Sequence, residues 1–197
     1  MLVVGLTGNL ACGKTTAAGF FKELGAYIIE ADEIARKFTL PDTPQHNEIL
    51  KYFGKDILDS EGNIDRRRLG QIVFCDKHKL KVLNKILHPP TIDFIKNEVT
   101  RLDKSVPVVV IESALILETD LKHLIHKLIV VKCTKRNQLS RFKEKRLSLD
   151  EGKKRISAQL PLAFKKKKAD FVINNNWDIK YLKSQVKEIW EKLKTEI

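Results

Sequence analysis

Two glycines near the start of the chain are followed directly by a lysine and a threonine. Residues 8–15 read Gly-Asn-Leu-Ala-Cys-Gly-Lys-Thr, which matches the pattern G-x-x-x-x-G-K-[ST] at every defined position. Because glycine tolerates positive φ, successive N–H groups of such a loop can converge on an anion. Lys14 would add a charge for the β- and γ-phosphates, and Thr15 a hydroxyl for Mg²⁺. The pattern therefore predicts a loop that binds a nucleoside triphosphate.

The elements around this loop are those that the motif requires. Residues 2–7 form an apolar, β-branched run that predicts a buried strand, and residues 14–24 show helical spacing. Residues 26–29 predict a second strand, so this part of the chain is a βαβ unit with parallel strands. In this context a glycine turn that merely happens to precede Lys-Thr is the weaker alternative. The predicted nucleotide contacts are Gly8, Asn9, Leu10, Ala11, Cys12, Gly13, Lys14, Thr15 and Thr16.

The rest of the chain predicts an α/β fold in which a helical excursion interrupts a parallel sheet. Continuous apolar runs predict three further strands, at residues 106–111, 128–131 and 171–173. Helical patterns occur at residues 34–38, 47–53, 65–74, 76–87, 91–102, 134–159 and 178–194. The pair Pro89-Pro90 predicts that one helix stops and another begins. Insertions after strand ends lie at the carboxyl edge of such a sheet, where α/β folds bind ligands.

Two acidic residues at strand ends could act on a phosphoryl acceptor or on a metal. Asp32 follows the second strand, where it could orient an acceptor hydroxyl and take its proton. Glu112 ends the third strand, where it could hold Mg²⁺ through a water molecule. The alternatives are that Asp32 caps the next helix and that Glu112 is a surface residue.

A densely charged helical stretch follows the fourth strand. It contains Arg141, Lys145, Arg146 and Arg155, and Gln159 lies beyond them. Arg141 and Lys145 are one helical turn apart and face the same way. Because arginine makes bidentate contacts to phosphate oxygens, a hinged cationic flap over a triphosphate is the functional interpretation. A solvated, charged helix is the alternative.

The composition narrows the class of protein. The 197 residues are 43% apolar with a net charge of +12. No segment approaches the roughly 18 apolar residues of a transmembrane helix, so we expect no membrane partner. The N-terminus lacks the features of a secretory signal. Cys12, Cys75 and Cys133 are spaced unlike a zinc site or a disulfide framework, so we expect a cytoplasmic protein.

Six segments in this order resemble the dephospho-CoA kinase family over nearly the whole chain. They match the family's LTG–GSGKS opening, its D-A-D-x-I-A-R and G-x-I-D-R–L–V-F stretches, its helix ending in His-Pro, and its R-I–Q and A-D-x-V-I-x-N segments. The matching residues are 6–15, 30–36, 62–74, 83–89, 155–159 and 169–175. The phosphate loop is shared by many proteins, and the joint order of the other five segments is much more specific.

The resemblance implies an ATP-dependent kinase that phosphorylates the ribose 3′-hydroxyl of dephospho-CoA, the final step of CoA biosynthesis. It implies a P-loop NTPase core of three layers around a parallel sheet, with a helical substrate-binding insertion and a helical lid. The implied boundaries are 1–33, 105–138 and 165–197 for the core, 34–104 for the dephospho-CoA-binding insertion and 139–164 for the lid. Mg²⁺ with ATP is the implied cofactor, and we expect a monomer or weak homo-oligomer.

The resemblance also implies residue roles. Asp32, Lys14 and Arg141 would be catalytic, and Arg141 and Asn175 would join the loop in binding ATP. The substrate contacts would be Asp32, Arg66, His88 and Glu112, and the lid would contribute Lys145, Arg146, Arg155 and Gln159.

Three segments depart from the family pattern. The lid segment is about one residue short, so the second cationic position falls to either Lys145 or Arg146. Glu30 replaces the first aspartate of D-A-D, so the acceptor-activating role applies only to Asp32. Residues 112–118 read Glu-Ser-Ala-Leu-Ile-Leu-Glu where the family has D-I-P-L-L-F-E, so Glu118 matches and Glu112 is one methylene longer.

Two other functions share some of these features. A nucleoside or nucleoside-monophosphate kinase would have the same loop, core and lid. A nucleic-acid-dependent P-loop ATPase would fit the positive charge. The chain lacks the interleaved aromatic and basic residues that stack bases, so we expect no nucleic-acid partner.

Overall fold

A computed structural model describes residues 1–102, 106–144 and 148–197 of the chain. These residues form two compact units. The first consists of Met1–Glu30 together with Glu98–Ile197, and the second is Ala31–Asn97. None of the helices within the described ranges combines the length and the hydrophobicity needed to span a membrane.

The first unit is built on a five-stranded sheet in the order β2-β3-β1-β4-β5, with every pairing parallel. This confirms the predicted parallel sheet. Its strands are β1 (Leu2–Thr7), β2 (Tyr27–Glu30), β3 (Val108–Glu112), β4 (Lys127–Lys132) and β5 (Phe171–Asn174). Because β1 is central, the loop that follows it lies at the carboxyl edge between the ends of β3 and β4. Leu6 pairs with Glu112 and Thr7 with Val130 at this edge.

Helices cover both faces of the sheet, so the first unit has three layers. Helices α1 (Lys14–Glu23) and α9 (Ile179–Lys194) bury Phe21 and Val186 against one face, which includes Ile129 and Val131. The alternate residues of β4, Leu128 and Val130, pack on the other face with Ile116 and Leu162. Successive strand residues point to opposite faces. This alternation explains why the central strands are apolar along their whole length.

Three further helices of the first unit lie within the described residues. They are α6 (Lys135–Glu144), α7 (Leu149–Ser157) and α8 (Leu162–Lys168), and short 3₁₀ turns lie at Ile116–Glu118 and Asp120–His123. A capping box begins α7, in which Ser148 and Glu151 exchange side-chain and backbone hydrogen bonds.

A buried ion pair attaches α8 to the segment after β3. The fully buried Lys165 Nζ lies 3.0 Å from Glu118 Oε1, which also accepts a 2.8 Å hydrogen bond from Leu160 N. Burial lowers the pKa of Lys165, and the Glu118 carboxylate opposes that shift. The lysine-rich segment at 165–168 is therefore not uniformly a solvated surface, because its first residue belongs to the interior.

Replacing each of two helical glycines with alanine should change the stability of the protein in opposite directions. A Cβ at the buried Gly152 of α7 would collide with the ring of the fully buried Phe142. Gly152→Ala should therefore destabilise the protein by about 1–3 kcal/mol. The matched control is the exposed Gly19 of α1, whose Cβ would meet nothing within 4 Å. Gly19→Ala should stabilise by about 0.5–1 kcal/mol. Urea unfolding measures both, and a Gly152→Ala variant as stable as wild type would contradict this packing.

Among the residues that the structure describes, the second unit is mainly helical, with one isolated antiparallel bridge between Leu58 and Ile64. Its helices are α2 (Ala31–Lys37), α3 (Pro44–Phe53), α4 (Arg66–Val73) and the part of α5 (Lys77–Arg101) up to Asn97, with a 3₁₀ turn at Lys55–Ile57. Its core contains Ile49, Ile57, Leu69, Val73 and Ile86. Thr43 caps α3 and Asp65 caps α4, each by accepting backbone N–H groups of the first turn.

The predicted helix break at Pro89-Pro90 is wrong, because α5 continues through both prolines. The prolines remove two backbone donors from the helix. Thr91 Oγ1 donates a 2.7 Å hydrogen bond to Leu87 O just after them. Buried side chains on either side, Ile86 and Ile95, belong to the interior. Tertiary packing therefore overrides the local preference for a break.

Candidate active site

Residues 8–13 form the turn between β1 and α1, and Lys14 and Thr15 begin the helix, as predicted. Three of them have positive φ: Gly8 at 147°, Ala11 at 58° and Gly13 at 95°. Left-handed residues among ordinary ones turn successive N–H groups toward a common point, which is how backbone loops bind phosphate. The loop thus has the backbone conformation of an anion-binding site.

Close contacts, as well as positive φ, require glycine at positions 8 and 13. A Cβ at Gly8 would collide with the carbonyl oxygen of Val131 and the sulfur of Cys12. A Cβ at Gly13 would collide with the side-chain amide of Asn175. A side chain at Gly8 would therefore press on the backbone of β4, and a side chain at Gly13 would displace the amide of Asn175.

The end of α1 that meets the loop is suited to negative charge. The helix begins at Lys14, and its N-cap is Gly13, which has no side chain to bond the first-turn N–H groups. Those N–H groups and the positive end of the helix dipole therefore face the loop. The Lys14 side chain is largely buried. Burial of Cys12 beside it raises the pKa of that thiol, and the positive charge of Lys14 opposes the shift.

Thr15 and Glu112 meet at the carboxyl edge of the sheet. Thr15 Oγ1 donates a 2.9 Å hydrogen bond to Glu112 Oε1, although the residues are 97 positions apart. Glu112 is buried at the end of β3. A hydroxyl and a carboxylate are oxygen ligands of the kind that Mg²⁺ prefers. Glu112 is therefore buried against the start of α1 and is not a surface residue.

Three side chains bind the carbonyl side of the loop. Gln138 Nε2 donates to Leu10 O at 2.5 Å, and Arg141 Nη1 donates to Cys12 O at 3.2 Å. Asn175 Nδ2 also donates to Cys12 O, at 2.9 Å. Because these groups hold the loop's carbonyls, they fix the direction of its N–H groups.

Gln138 is a loop contact that the sequence does not predict. Gln138 lies three residues before Arg141 on the same face of α6, and nothing in the local sequence indicates its contact with Leu10. Arg141 was predicted as a cationic group for phosphate, and in this structure its Nη1 and Nη2 donate to backbone carbonyls of the loop and of Asn175. Both side chains therefore help to shape the loop.

Removing the Gln138 contact should weaken nucleotide binding more than turnover. Gln138→Ala deletes one hydrogen bond to Leu10 O. We expect the KM for ATP to rise about two- to tenfold, with a smaller change in kcat. The control is Ser140→Ala, an exposed position on the same helix, which should change KM by less than about twofold. Steady-state kinetics decide, and an unchanged KM in Gln138→Ala would exclude the positioning role.

A cavity of about 360 Å³ opens over the loop. Its lining includes Gly13, Lys14, Thr15, Arg141 and Asn175. The structure thus brings the predicted loop residues together with Arg141 and Asn175. The volume of the cavity lies within the range of about 300–1,000 Å³ that is common for small-molecule sites.

The predicted lid residues are only partly described. Arg155 lies in the last turn of α7, and Gln159 follows that helix and donates its N–H to Ile156 O at 3.0 Å. Burial lowers the pKa of Arg155. Lys145 and Arg146 lie outside the described residues.

The remaining predicted residues belong to the second unit. Asp32 is exposed in the first turn of α2, and Arg66 is the first residue of α4, directly after its Asp65 cap. His88 is partly buried within α5, and that burial lowers its pKa. The roles predicted for Asp32, Arg66 and His88 therefore stay predictions.

The sheet order, the loop and the Thr15–Glu112 pair define the class of this protein as a P-loop nucleotide-binding fold of the kinase type. The family model described as dephospho-CoA kinase matches residues 2–180. A dephospho-CoA kinase of Carboxydothermus hydrogenoformans is 39% identical over 194 residues, which cover 98% of this chain and 94% of that protein. The chain belongs to the dephospho-CoA kinase family.

Two solved structures share this fold, and one of them is a dephospho-CoA kinase. A protein from Thermus thermophilus superposes with a TM-score of 0.78 at 27% identity, covering 98% of this chain and 97% of that one. The dephospho-CoA kinase from Campylobacter jejuni has a TM-score of 0.64 at 30% identity, covering 97% and 96%. The resemblance found in the sequence and the predicted fold class are thus confirmed.

Proposed function

We propose that this chain transfers the γ-phosphoryl group of ATP to the ribose 3′-hydroxyl of dephospho-CoA, giving CoA and ADP. Family membership over residues 2–180 supports the substrates. The observation that carries the chemistry is the preformed loop with Thr15 bonded to Glu112 at 2.9 Å. A loop of this shape fits the phosphates of ATP, and its strand-end carboxylate distinguishes it from a simple glycine turn.

Each part of the loop has a distinct role in this proposal. The N–H groups of the loop and of the α1 N-terminus would bind the phosphate oxygens. Lys14 would neutralise charge on the β- and γ-phosphates. Arg141, with partners in the proposed lid at residues 139–164, would stabilise charge on the transferring group.

The Thr15 hydroxyl and the Glu112 carboxylate fit Mg²⁺, because both are oxygen ligands and lie 2.9 Å apart. Thr15 would hold the ion directly and Glu112 through water. Bound there with ATP, Mg²⁺ would neutralise negative charge on the phosphates.

Asp32 would position the acceptor and take its proton. In this step the 3′-oxygen forms a bond to the γ-phosphorus, the bond from that phosphorus to the bridging oxygen of ADP breaks, and the hydroxyl proton passes to Asp32. We propose residues 34–104 as the dephospho-CoA-binding region, with Arg66 and His88 among its contacts. Closure of the lid would exclude water, which would otherwise hydrolyse ATP.

An acceptor panel tests the proposal. Purified protein is mixed with ATP, Mg²⁺ and one acceptor at a time: dephospho-CoA, AMP, CMP or uridine. Mass spectrometry should show a product heavier by one phosphoryl group with dephospho-CoA only. Phosphorylation of AMP, CMP or uridine instead would indicate a nucleoside or nucleoside-monophosphate kinase. ATP hydrolysis stimulated by DNA or RNA would indicate a nucleic-acid-dependent ATPase.

A further inference from the structure

The cavity over the phosphate loop is lined by two chemically different groups of residues. One group is polar and cationic and comes from the loop, with Lys14, Thr15 and Arg141. The other comes from the segment after β5 and the start of α9, with Trp177, Ile179 and Leu182. The second group offers apolar and aromatic surface and is not needed to bind phosphate.

Trp177 is unusually exposed for a large apolar side chain. Its relative exposure is 59%, even though its ring makes an edge contact with Tyr181 at a centroid distance of 4.8 Å. Ile179, which lines the same cavity, is 55% exposed. Large apolar groups that remain accessible together at a cavity commonly mark a binding surface.

The segment that carries Trp177 is fixed to the phosphate loop. Asn175 Nδ2 donates to Cys12 O at 2.9 Å, and Asn176 Oδ1 accepts from Thr134 N at 2.5 Å. On the other side Asp178 caps α9 by accepting the N–H of Tyr181 at 2.8 Å. Hydrogen bonds therefore hold both neighbours of Trp177, so its position beside the loop is built in.

We propose that Trp177 is the stacking platform for the purine base of the bound nucleotide. The nucleotide itself rests on the proposed function, and the inference adds the residue that recognises its base. A nucleotide whose phosphates occupy the loop has an aromatic base at its other end, and the aromatic lining of the same cavity is complementary to it. Stacking of a base on an aromatic side chain is worth about five- to 150-fold in affinity.

A purely structural role for Trp177 makes a different prediction. Trp177 precedes the N-cap Asp178, and Leu182 is the fourth residue of α9, which are the positions of a hydrophobic staple. A staple would stabilise the helix and leave nucleotide affinity unaffected. The high exposure of Trp177 argues that a staple contact does not use most of its ring.

Calorimetric titration separates the two roles. ADP and inorganic tripolyphosphate are titrated into wild type, Trp177→Ala, Trp177→Phe and the control Tyr27→Ala, which removes an exposed aromatic ring of β2 outside the cavity lining. Trp177→Ala should lower the affinity for ADP at least about fivefold and the affinity for tripolyphosphate by less than about twofold. Trp177→Phe should recover most of the ADP affinity, and Tyr27→Ala should leave the affinity for both ligands unchanged.

Three results would overturn the inference. They are unchanged ADP affinity in Trp177→Ala, an equal loss of affinity for ADP and tripolyphosphate, and a lower melting temperature with no change in the affinity for either ligand.

The wild-type protein provides a test that needs no variant. Of its two tryptophans, Trp190 is buried, so ADP should quench the emission of Trp177 and tripolyphosphate should not. Absence of quenching by ADP would also reject the stacking role.

These titrations contain no dephospho-CoA, so they fail or succeed independently of the proposed reaction. If the protein binds ADP through Trp177 but does not phosphorylate dephospho-CoA, the result would contradict only the proposed function and not the role of Trp177.

Discussion

Replacing Lys14 with alanine is expected to lower kcat at least about 100-fold. Lys14 is the largely buried first residue of α1, at the end of the loop where phosphate would bind. Phosphoryl transfer depends mainly on positioning and on charges that are already in place, because the transition state needs little covalent assistance. Deleting one preorganised cation should therefore affect turnover more than folding. Steady-state transfer from ATP to dephospho-CoA measures the effect.

The matched control is Lys22→Ala. Lys22 lies in the last turn of the same helix and is exposed, so the variant removes the same charge away from the loop. Its turnover should stay within about twofold of wild type. Near-wild-type turnover in Lys14→Ala would contradict the proposed role of the lysine, and an equal loss in both variants would point to a general effect of charge.

Asp32→Asn should lower transfer at least about 100-fold while leaving ATP affinity nearly intact. An amide keeps the size of the side chain and can still form hydrogen bonds, but it cannot accept the hydroxyl proton. The affinity for ATP, measured by titration without acceptor, should change by less than about twofold because Asp32 is not among the proposed nucleotide contacts. The combination of lost transfer and retained binding identifies a residue that acts on the acceptor.

The neighbouring acid provides the control for Asp32. Glu33 lies in the same first turn of α2 and forms an ion pair with Arg36 on the helix surface. Glu33→Gln should keep nearly full activity, since exposed pairs contribute little. If Asp32→Asn also transfers phosphate at the wild-type rate, Asp32 is only a surface residue in the first turn of α2.

The sequence predicts the sheet and the loop well because both rest on strong local signals. Residues 2–7 are apolar and β-branched throughout, as expected for a central strand covered on both faces, and they form β1. The glycines at 8 and 13 match backbone positions of positive φ with no room for a side chain. In these segments the local preference and the tertiary structure agree.

The sequence predicts less where distant contacts decide the outcome. The prolines at 89 and 90 signal a break, but packing of residues on either side keeps α5 continuous. The segment Leu162–Lys168 contains four consecutive lysines and no clear apolar period, yet it is a helix whose Lys165 is buried beside Glu118. In the sequence Gln138 is one polar residue in a charged stretch, and only the fold shows that it contacts Leu10. None of these contacts has a local signature.

The most direct test of the account follows the γ-phosphoryl group itself. ATP carrying ¹⁸O in the non-bridging oxygens of its γ-phosphate is incubated with the protein, Mg²⁺ and dephospho-CoA. The product is then fragmented in a mass spectrometer. We expect every labelled oxygen to appear on the ribose 3′-phosphate of CoA, with little labelled inorganic phosphate. Label found only in inorganic phosphate, or at another position of the acceptor, would contradict direct transfer to the 3′-hydroxyl.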